Sequence, residues 1–271
     1  MSSADESICL SFCDSEELYI EELRQWILEN PHLNAHRDDT TILAFLRVAK
    51  FNVETAKSKM RNYYIMRKEV PEWFTKRDPS RPEIQELVKL GIFLPLKKYH
   101  NNKLVVIIRT AAHDPRRHAQ DDVFKTGKMV LDVAIRENFT SASVYGISAI
   151  FDMANISFGH YRQLTTSMIK RTVHAWQNYP GRPQHLEFVN APLYINVVLN
   201  IFKSFMSEKL RKRVRVHFSG IESLHRVIPK EILPIEYGGR ESTIKQLGEE
   251  WASKLIEYKD WFTEDETHKA K

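Results

Sequence analysis

The chain has 271 residues, of which 42 % are hydrophobic and 28 % charged, the balance of an ordinary soluble globule with enough length for one large domain or a small one plus a larger one. No apolar run reaches the ~18 residues of a membrane span. The two cysteines, Cys9 and Cys13, make no disulfide framework, and the acidic N-terminus has no basic n-region, so no secretory signal is expected and the chain reads as intracellular.

The net charge of +5 conceals an asymmetry: residues 1–40 carry −8, residues 241–271 carry −3, and the body between them carries +16. Such a body addresses a phosphoinositide, an acidic lipid surface or nucleic acid. No groove-reading helix, zinc-ligand pattern or aromatic RNP strand accompanies it, so nucleic acid is not expected.

In chain order, Ser15 reads as an N-cap before Leu18, Leu23, Trp26 and Ile27, with Glu16 and Glu17 in the first turn. Asp38, Asp39 or Thr40 caps a helix through Ile42–Val48, and Asn52 breaks it. A third helix spans 53–70 and stops before Pro71. Residues 1–75 therefore form a helical unit, and TKRDPSRP at 75–82 is a polar connection. Beyond it the pattern alternates. Strands are expected at 91–96, 103–110, 145–152, 185–190 and 213–218, with helices at 121–138, at 160–178 as one long element, and from Leu193. This is an α/β arrangement with a mostly parallel sheet flanked by helices, over 76–245. Residues 232–239 read as an extended segment ending in a turn. Residues 246–271 hold a last helix with Leu247, Trp251, Leu255 and Tyr258, then a tail after Phe262 expected to be flexible.

Catalytic motifs are missing. Gly146-Ile-Ser148-Ala-Ile150 lacks the closing glycine of a nucleophile elbow, and no Walker loop or dinucleotide fingerprint occurs. His113, Asp114, His118, Asp121 and Asp122 are metal-ligand types, but a loop entering a helix explains their spacing better than a metal site. No catalytic residue, metal or cofactor is expected.

The stretch Leu193–Arg215 is the most informative. Its helix is polar only along Asn196, Asn200, Lys203 and Ser207, while Tyr194, Ile195, Val198, Leu199, Ile201, Phe202, Phe205 and Met206 cover the rest. Six Lys/Arg then face one acid, Glu208, between Lys203 and Arg215. This pattern suits a helix that covers an oily cavity beside an anionic membrane; a buried core helix ending in a solvated charged turn is the other reading. The Arg211–Arg215 run can also be read as a nuclear signal.

These segments resemble the CRAL-TRIO lipid-binding family. Thr41–Lys57 resembles its helical leader. Gly146–Asp152 with Phe158-Gly-His160 is similar to its central strand and turn, and Tyr179-Pro180 with Phe188–Pro192 to the strand entering its gate helix. Lys203–His217 resembles the basic end of the gate, and Leu233–Gly239 the closing motif. His113-Asp-Pro115 and Asp122-Val-Phe124 fit the branch of tocopherol transfer and retinaldehyde-binding proteins.

The resemblance implies a monomeric cytoplasmic carrier, not an enzyme. It would hold one retinoid, tocopherol or other isoprenoid lipid, with a phospholipid also open, in a cavity closed by a mobile gate helix and exchange it peripherally at endosomal or plasma membranes. The alternative is a phosphoinositide-binding docking or scaffold module that transports nothing. Carried over by position, a phosphoinositide cleft would use Arg182, Lys209 and Arg213, with Lys203 a weaker member. Ala49 stands where the family places a further arginine, and Lys50 is expected to point elsewhere on the helix. Lys212 and Arg215 are expected as solvated surface charges. Cavity candidates are Phe124, Gly127, Leu131, Ile150, Phe158, Leu164, Trp176, Tyr179, Leu186, Phe188, Val198, Ile201, Phe202 and Phe205, with His174 and Tyr145 as further polar determinants.

Overall fold

The computed structural model describes residues 14–138 and 146–271. Cys9, Cys13 and Tyr145 lie outside the described residues, as does the side chain of Ser15. The N-terminal unit starts with α1 (Asp14–Glu29), α2 (Asp39–Val48) and α3 (Val53–Glu69), which pack on one another. Asp38 caps α2 by accepting from the Thr41 amide at 3.1 Å, and Asn52 caps α3 by accepting from the Thr55 amide at 2.8 Å. Two short helices follow, α4 (Pro71–Phe74) and α5 (Pro82–Lys89). Both prolines that mark breaks in the sequence open a helix, at a position whose N–H needs no partner.

The sheet holds β1 (Phe93–Pro95), β2 (Leu104–Arg109), β3 (Ile147–Asp152), β4 (Pro183–Val189) and β5 (Val214–His217), side by side in chain order. β1 is antiparallel to β2 and the other pairs are parallel, so each parallel step needs a helical crossover. α6 (Gln120–Asn138) joins β2 to β3. α7 (Phe158–Gln163) and α8 (Thr166–Asn178) join β3 to β4, and α9 (Ile195–Phe205) and α10 (Glu208–Arg211) join β4 to β5. α11 (Ile221–His225), α12 (Ile244–Glu257) and α13 (Lys259–Asp265) complete the chain.

Three expectations are corrected. The single helix expected over 160–178 is two, because Leu164 leaves the helical region at ψ 70° and Thr165 caps a fresh start by accepting from the Met168 amide at 3.2 Å. Residues 232–239 are not extended: 3-10 turns at Lys230–Ile232 and Ile235–Tyr237 carry the chain. The tail after Phe262 is built into the fold. Asp265 is buried, the Ala270 amide donates to the Tyr64 carbonyl at 3.1 Å, and the Lys271 amide donates to the His32 carbonyl at 2.9 Å.

The reason is charge. Arg67 of α3 and Arg77 of the 75–82 connection are 1 % and 0 % exposed. Arg67 Nη2 reaches Asp265 Oδ2 at 2.8 Å, Arg77 Nη1 reaches Asp132 Oδ2 of α6 at 2.9 Å, and Arg77 Nη2 also pairs with Asp265. His36 Nε2 meets the other Asp265 oxygen at 2.8 Å. Removing one partner of a buried pair strands the rest and costs about 3–5 kcal/mol. Asp265→Ala should therefore lower Tm by roughly 10 °C at the ~2–4 °C per kcal/mol of a chain this size. Calorimetry checks this, and a shift under about 2 °C would show that the tail is dispensable.

Candidate functional site

One face of the sheet, α6, α8 and α9 enclose an apolar cavity of about 180 Å³, far more than the ~10–15 Å³ that admits one water. Successive strand residues alternate faces. Ile147, Ala149 and Phe151 of β3 therefore line the cavity together with Leu186 and Phe188 of β4. Ile150, expected here, is buried on the opposite face. On α6 the lining stripe is Phe124, Gly127, Lys128 and Leu131, the i, i+3, i+4, i+7 positions of one helix face. Gly127 lets the sheet approach: a Cβ there would overlap the Phe93 ring.

α9 closes the cavity with Ile195, Val198, Leu199 and Phe202. Phe202 stacks on Trp176 with centroids 5.7 Å apart. On the outer side of α9, Val197 (66 % exposed) and Ile201 are open to solvent beside Asn196 and Asn200, and Leu193 (93 %) and Tyr194 are exposed just before its first residue. Leu164, Trp176 and Tyr179 line the cavity at and beyond the ends of α8. Three further candidates fall elsewhere. Ile201 is on the outer face of α9. Phe205 is half-buried against the main core beyond the lining residues, and Phe158 projects into solvent from the first turn of α7 while His160 takes the inward place.

Behind α8 lies a separate polar cleft of about 790 Å³ between α2, α3, the start of β4 and α10. Arg182, Lys209 and Arg213 line it together. Arg213 Nη1 is anchored by donating to the Pro183 carbonyl at 2.5 Å. Two cations join them that sequence reasoning missed. Lys59 lies on the face of α3 that also presents Thr55 and Asn62, and its Nζ donates to the Gln177 carbonyl. Lys50 enters the cleft because α2 stops at Val48; Lys50 and Phe51 then adopt φ 57° each, so the helical rule of direction does not apply to it. Ala49 lines the same wall. Lys203 does not reach the cleft: the chain turns extended at Met206, and α10 sets off in a new direction. Of the remaining run, Lys212 is exposed and pairs with Glu208 at 2.6 Å, and Arg215 lies 3.7 Å from the buried Glu187 on another face. His174 borders the cleft, not the cavity.

The cleft cations repel one another. Burial, then Arg182, Arg213 and Lys209, push the Lys59 ammonium below its ordinary pKa. Arg182, and then burial and Arg213, do the same to Lys209. Burial and Arg182 lower Arg213. An oxyanion of high charge relieves all of this at once. Trp176, Tyr179 and Pro183 line both cleft and cavity, so a thin shared wall separates them.

Residues 89–239 match the model of the CRAL/TRIO domain, and residues 14–84 that of the Pinta-like UBA domain. The chain belongs to the CRAL-TRIO family. It is 30 % identical over 223 residues to Clavesin-2 of Homo sapiens and of Rattus norvegicus, covering 81 % of this chain and 68 % of each relative. Clavesin-1 of Xenopus laevis is equally similar, with 67 % of its length covered. The crystal structure of Sfh5 has the same fold at 15 % identity, with a TM-score of 0.58 over 93 % of this chain and 99 % of that one. CRAL-TRIO proteins bind and transfer lipids and are generally not enzymes. Among the described residues no helix is long and apolar enough to cross a membrane.

The close fit at Gly127 gives a test of the cavity wall. Gly127→Ala should displace the Phe93 ring, cost about 1–3 kcal/mol by overpacking, and weaken uptake of an apolar fluorescent probe. Unchanged Tm and titration would show that Phe93 yields freely.

Proposed function

We propose that this CRAL-TRIO protein carries one hydrophobic molecule, of the retinoid, tocopherol or other isoprenoid class, and exchanges it at membranes that bear phosphoinositides. The observation that carries this reading is the wall shared by the apolar cavity and the cationic cleft. Trp176 touches both spaces and also supports the gate residue Phe202. A head group that draws Arg182, Lys59 and Lys209 together pulls on the wall against which the gate rests. The exposed apolar residues on and just before α9 are suited to lie in the interfacial layer while this happens.

The cleft accounts for attraction and the cavity for cargo, so the two separate by mutation. Charge reversal at Lys209 and Arg213 together should abolish the preference for phosphoinositide vesicles over neutral ones and leave probe binding in solution intact. Lys59→Met should weaken vesicle binding about fivefold, since a basic group near an anionic surface contributes ~1 kcal/mol. Both interactions should fade with salt as screening shortens to about 8 Å at physiological ionic strength. Cosedimentation at several salt concentrations measures them; a double reversal that binds as the parent does would move the head-group site elsewhere.

Ile201→Asp tests the gate. The site is solvent-exposed, so Tm should stay within about 2 °C, whereas transfer of a fluorescent lipid between vesicles should fall several-fold. Unchanged transfer would remove α9 from the membrane contact. Organic extraction of the purified protein reads the cargo directly. If no apolar molecule of any class co-purifies or binds, the docking-module reading replaces the carrier.

A further inference from the structure

The oily cavity has a cation in its wall. Lys128 is only 7 % exposed and lines the cavity in the stripe with Phe124, Gly127 and Leu131. Among the described residues its Nζ makes no hydrogen bond and no ion pair. It lies over two aromatic faces, 5.3 Å from the Trp73 centroid and 4.9 Å from that of Tyr179. The nearest opposing charge, Asp132 one turn along α6, is already engaged by Arg77 Nη1 at 2.9 Å and by the Tyr179 hydroxyl.

Of the other polar groups of the wall, three are used locally, while the Tyr161 hydroxyl is buried without a hydrogen-bond partner among the described residues and Gln120 lines the same space. Thr110 and Thr172 donate to backbone carbonyls at 2.8 Å each, and the His160 ring sits between Ser157 and the His113 carbonyl. Lys128 differs in being a cation: the two ring faces attract its ammonium, but no oxygen is engaged as its hydrogen-bond acceptor, and that leaves a buried ammonium undersatisfied. A methionine would fill the same space against Trp73 and Tyr179 without that penalty. Burial lowers its pKa to about 8, with Asp132 acting in the opposite direction. About nine in ten of these side chains are therefore charged at pH 7.

We propose that the cavity's ligand is an apolar carboxylic acid, a polyene fatty acid or an isoprenoid acid, and that Lys128 is the counter-ion of its carboxylate. This deepens the carrier reading and rests on it. The acid end would lie beside Tyr179, under the wall shared with the cationic cleft, and the tail would run along the apolar strand and gate residues. An ammonium already buried in the wall attracts a carboxylate more strongly than it would in water, which offsets the carboxylate's own desolvation.

The experiment compares each acid with its own methyl ester: retinoic acid and methyl retinoate, parinaric acid and methyl parinarate, titrated by fluorescence. The parent protein should bind each acid at least tenfold tighter than its ester. Lys128→Met should bring that ratio near one, and Lys128→Arg should keep the preference. The pH profile adds a readout that a purely structural lysine would not move. Free Lys128 titrates near pH 8, and a bound carboxylate raises its pKa. Acid affinity should thus be level below about pH 8 and fall as pH rises through it, while ester affinity stays flat; the acids are ionised throughout.

The charged and titratable groups around the ammonium are Asp132 with Arg77 behind it, and Tyr179, with His160 and Tyr161 elsewhere on the cavity wall. Burial and Asp132 hold the Tyr179 hydroxyl well above its ordinary range, so it does not titrate in this window. Equal binding of acid and ester by the parent, or an acid preference that survives Lys128→Met, overturns the proposal while leaving the carrier intact. Failure of every acid and ester to bind removes the carrier and the proposal with it. Should Lys128→Met not fold, the parent's acid-to-ester ratio and pH profile decide together with Lys128→Arg.

Discussion

Arg77 has no solvent contact, and its guanidinium spans two carboxylates, Asp132 and Asp265, that lie 55 and 188 residues along the chain. A buried charge is tolerated only when its partners are all present, so this residue ties the connection after the N-terminal helices to α6 and to the last helix at once. The two acids are not equivalent. Burial alone would raise Asp265, but Arg67, His36 and Arg77 outweigh it and hold its carboxyl well below the usual range. For Asp132, burial prevails over Arg77 and the carboxyl is raised. Asp265 is the firmly ionised anchor, and Asp132 is the more adaptable partner.

That difference reaches the functional region. The remaining oxygen of Asp132 accepts the hydroxyl of Tyr179, whose ring is part of the wall between cavity and cleft. Tyr63 crosses the same ring edge-on at 5.2 Å and donates no freedom to it, being itself bonded by Arg67. The wall is thus held rigidly from the side of the ion network. On the cavity side, Trp176 of the wall stacks on Phe202 of α9, while Ile195 and Leu199 bury the same helix against the core and the Ser207 amide after it donates to Gln177 Oε1 at 2.9 Å. On the carrier reading proposed above, the ion network makes the wall the fixed part and α9 the part that would move.

Much of this was legible in the sequence, because it rests on periodicity. The five strands, the crossover helices and the helix over the cavity follow from alternation and spacing; of the three cap candidates Asp38 caps α2, and Asn52, expected only as a break, also caps α3. What was not legible depends on partners distant in the chain. The ordered tail follows from arginines 188 and 198 residues upstream of Asp265. The turn of Lys50 into the cleft comes from a helix that ends one residue before Ala49, a boundary no spacing rule fixes to that accuracy. Ile150 fell on the wrong face because a strand buried on both sides has no polar alternation to set its phase. Lys128 did leave a signal, a lysine inside an apolar stripe between Phe124 and Leu131, legible only to a reading that asks why a cation interrupts the grease.

Cationic groups stand on both sides of the Tyr179 wall, and the two sides differ in dielectric. In the open cleft the five Lys/Arg groups are spread around a space of about 790 Å³ and exchange with water and salt. A surface anion can therefore come and go there, each contact contributing little. Inside the 180 Å³ cavity a single, largely buried ammonium lies against two rings, so an opposite charge there is screened less than one in the open cleft. A protein that must hold cargo in transit and yield it at a surface needs that division: strong, enclosed and single on the cargo side; weak, open and multiple on the membrane side. On the carrier reading proposed above, opening at α9 would admit water to the inner ammonium and weaken its grip as the outer cations meet an anionic surface. Retention and release can then be set by the same movement of α9.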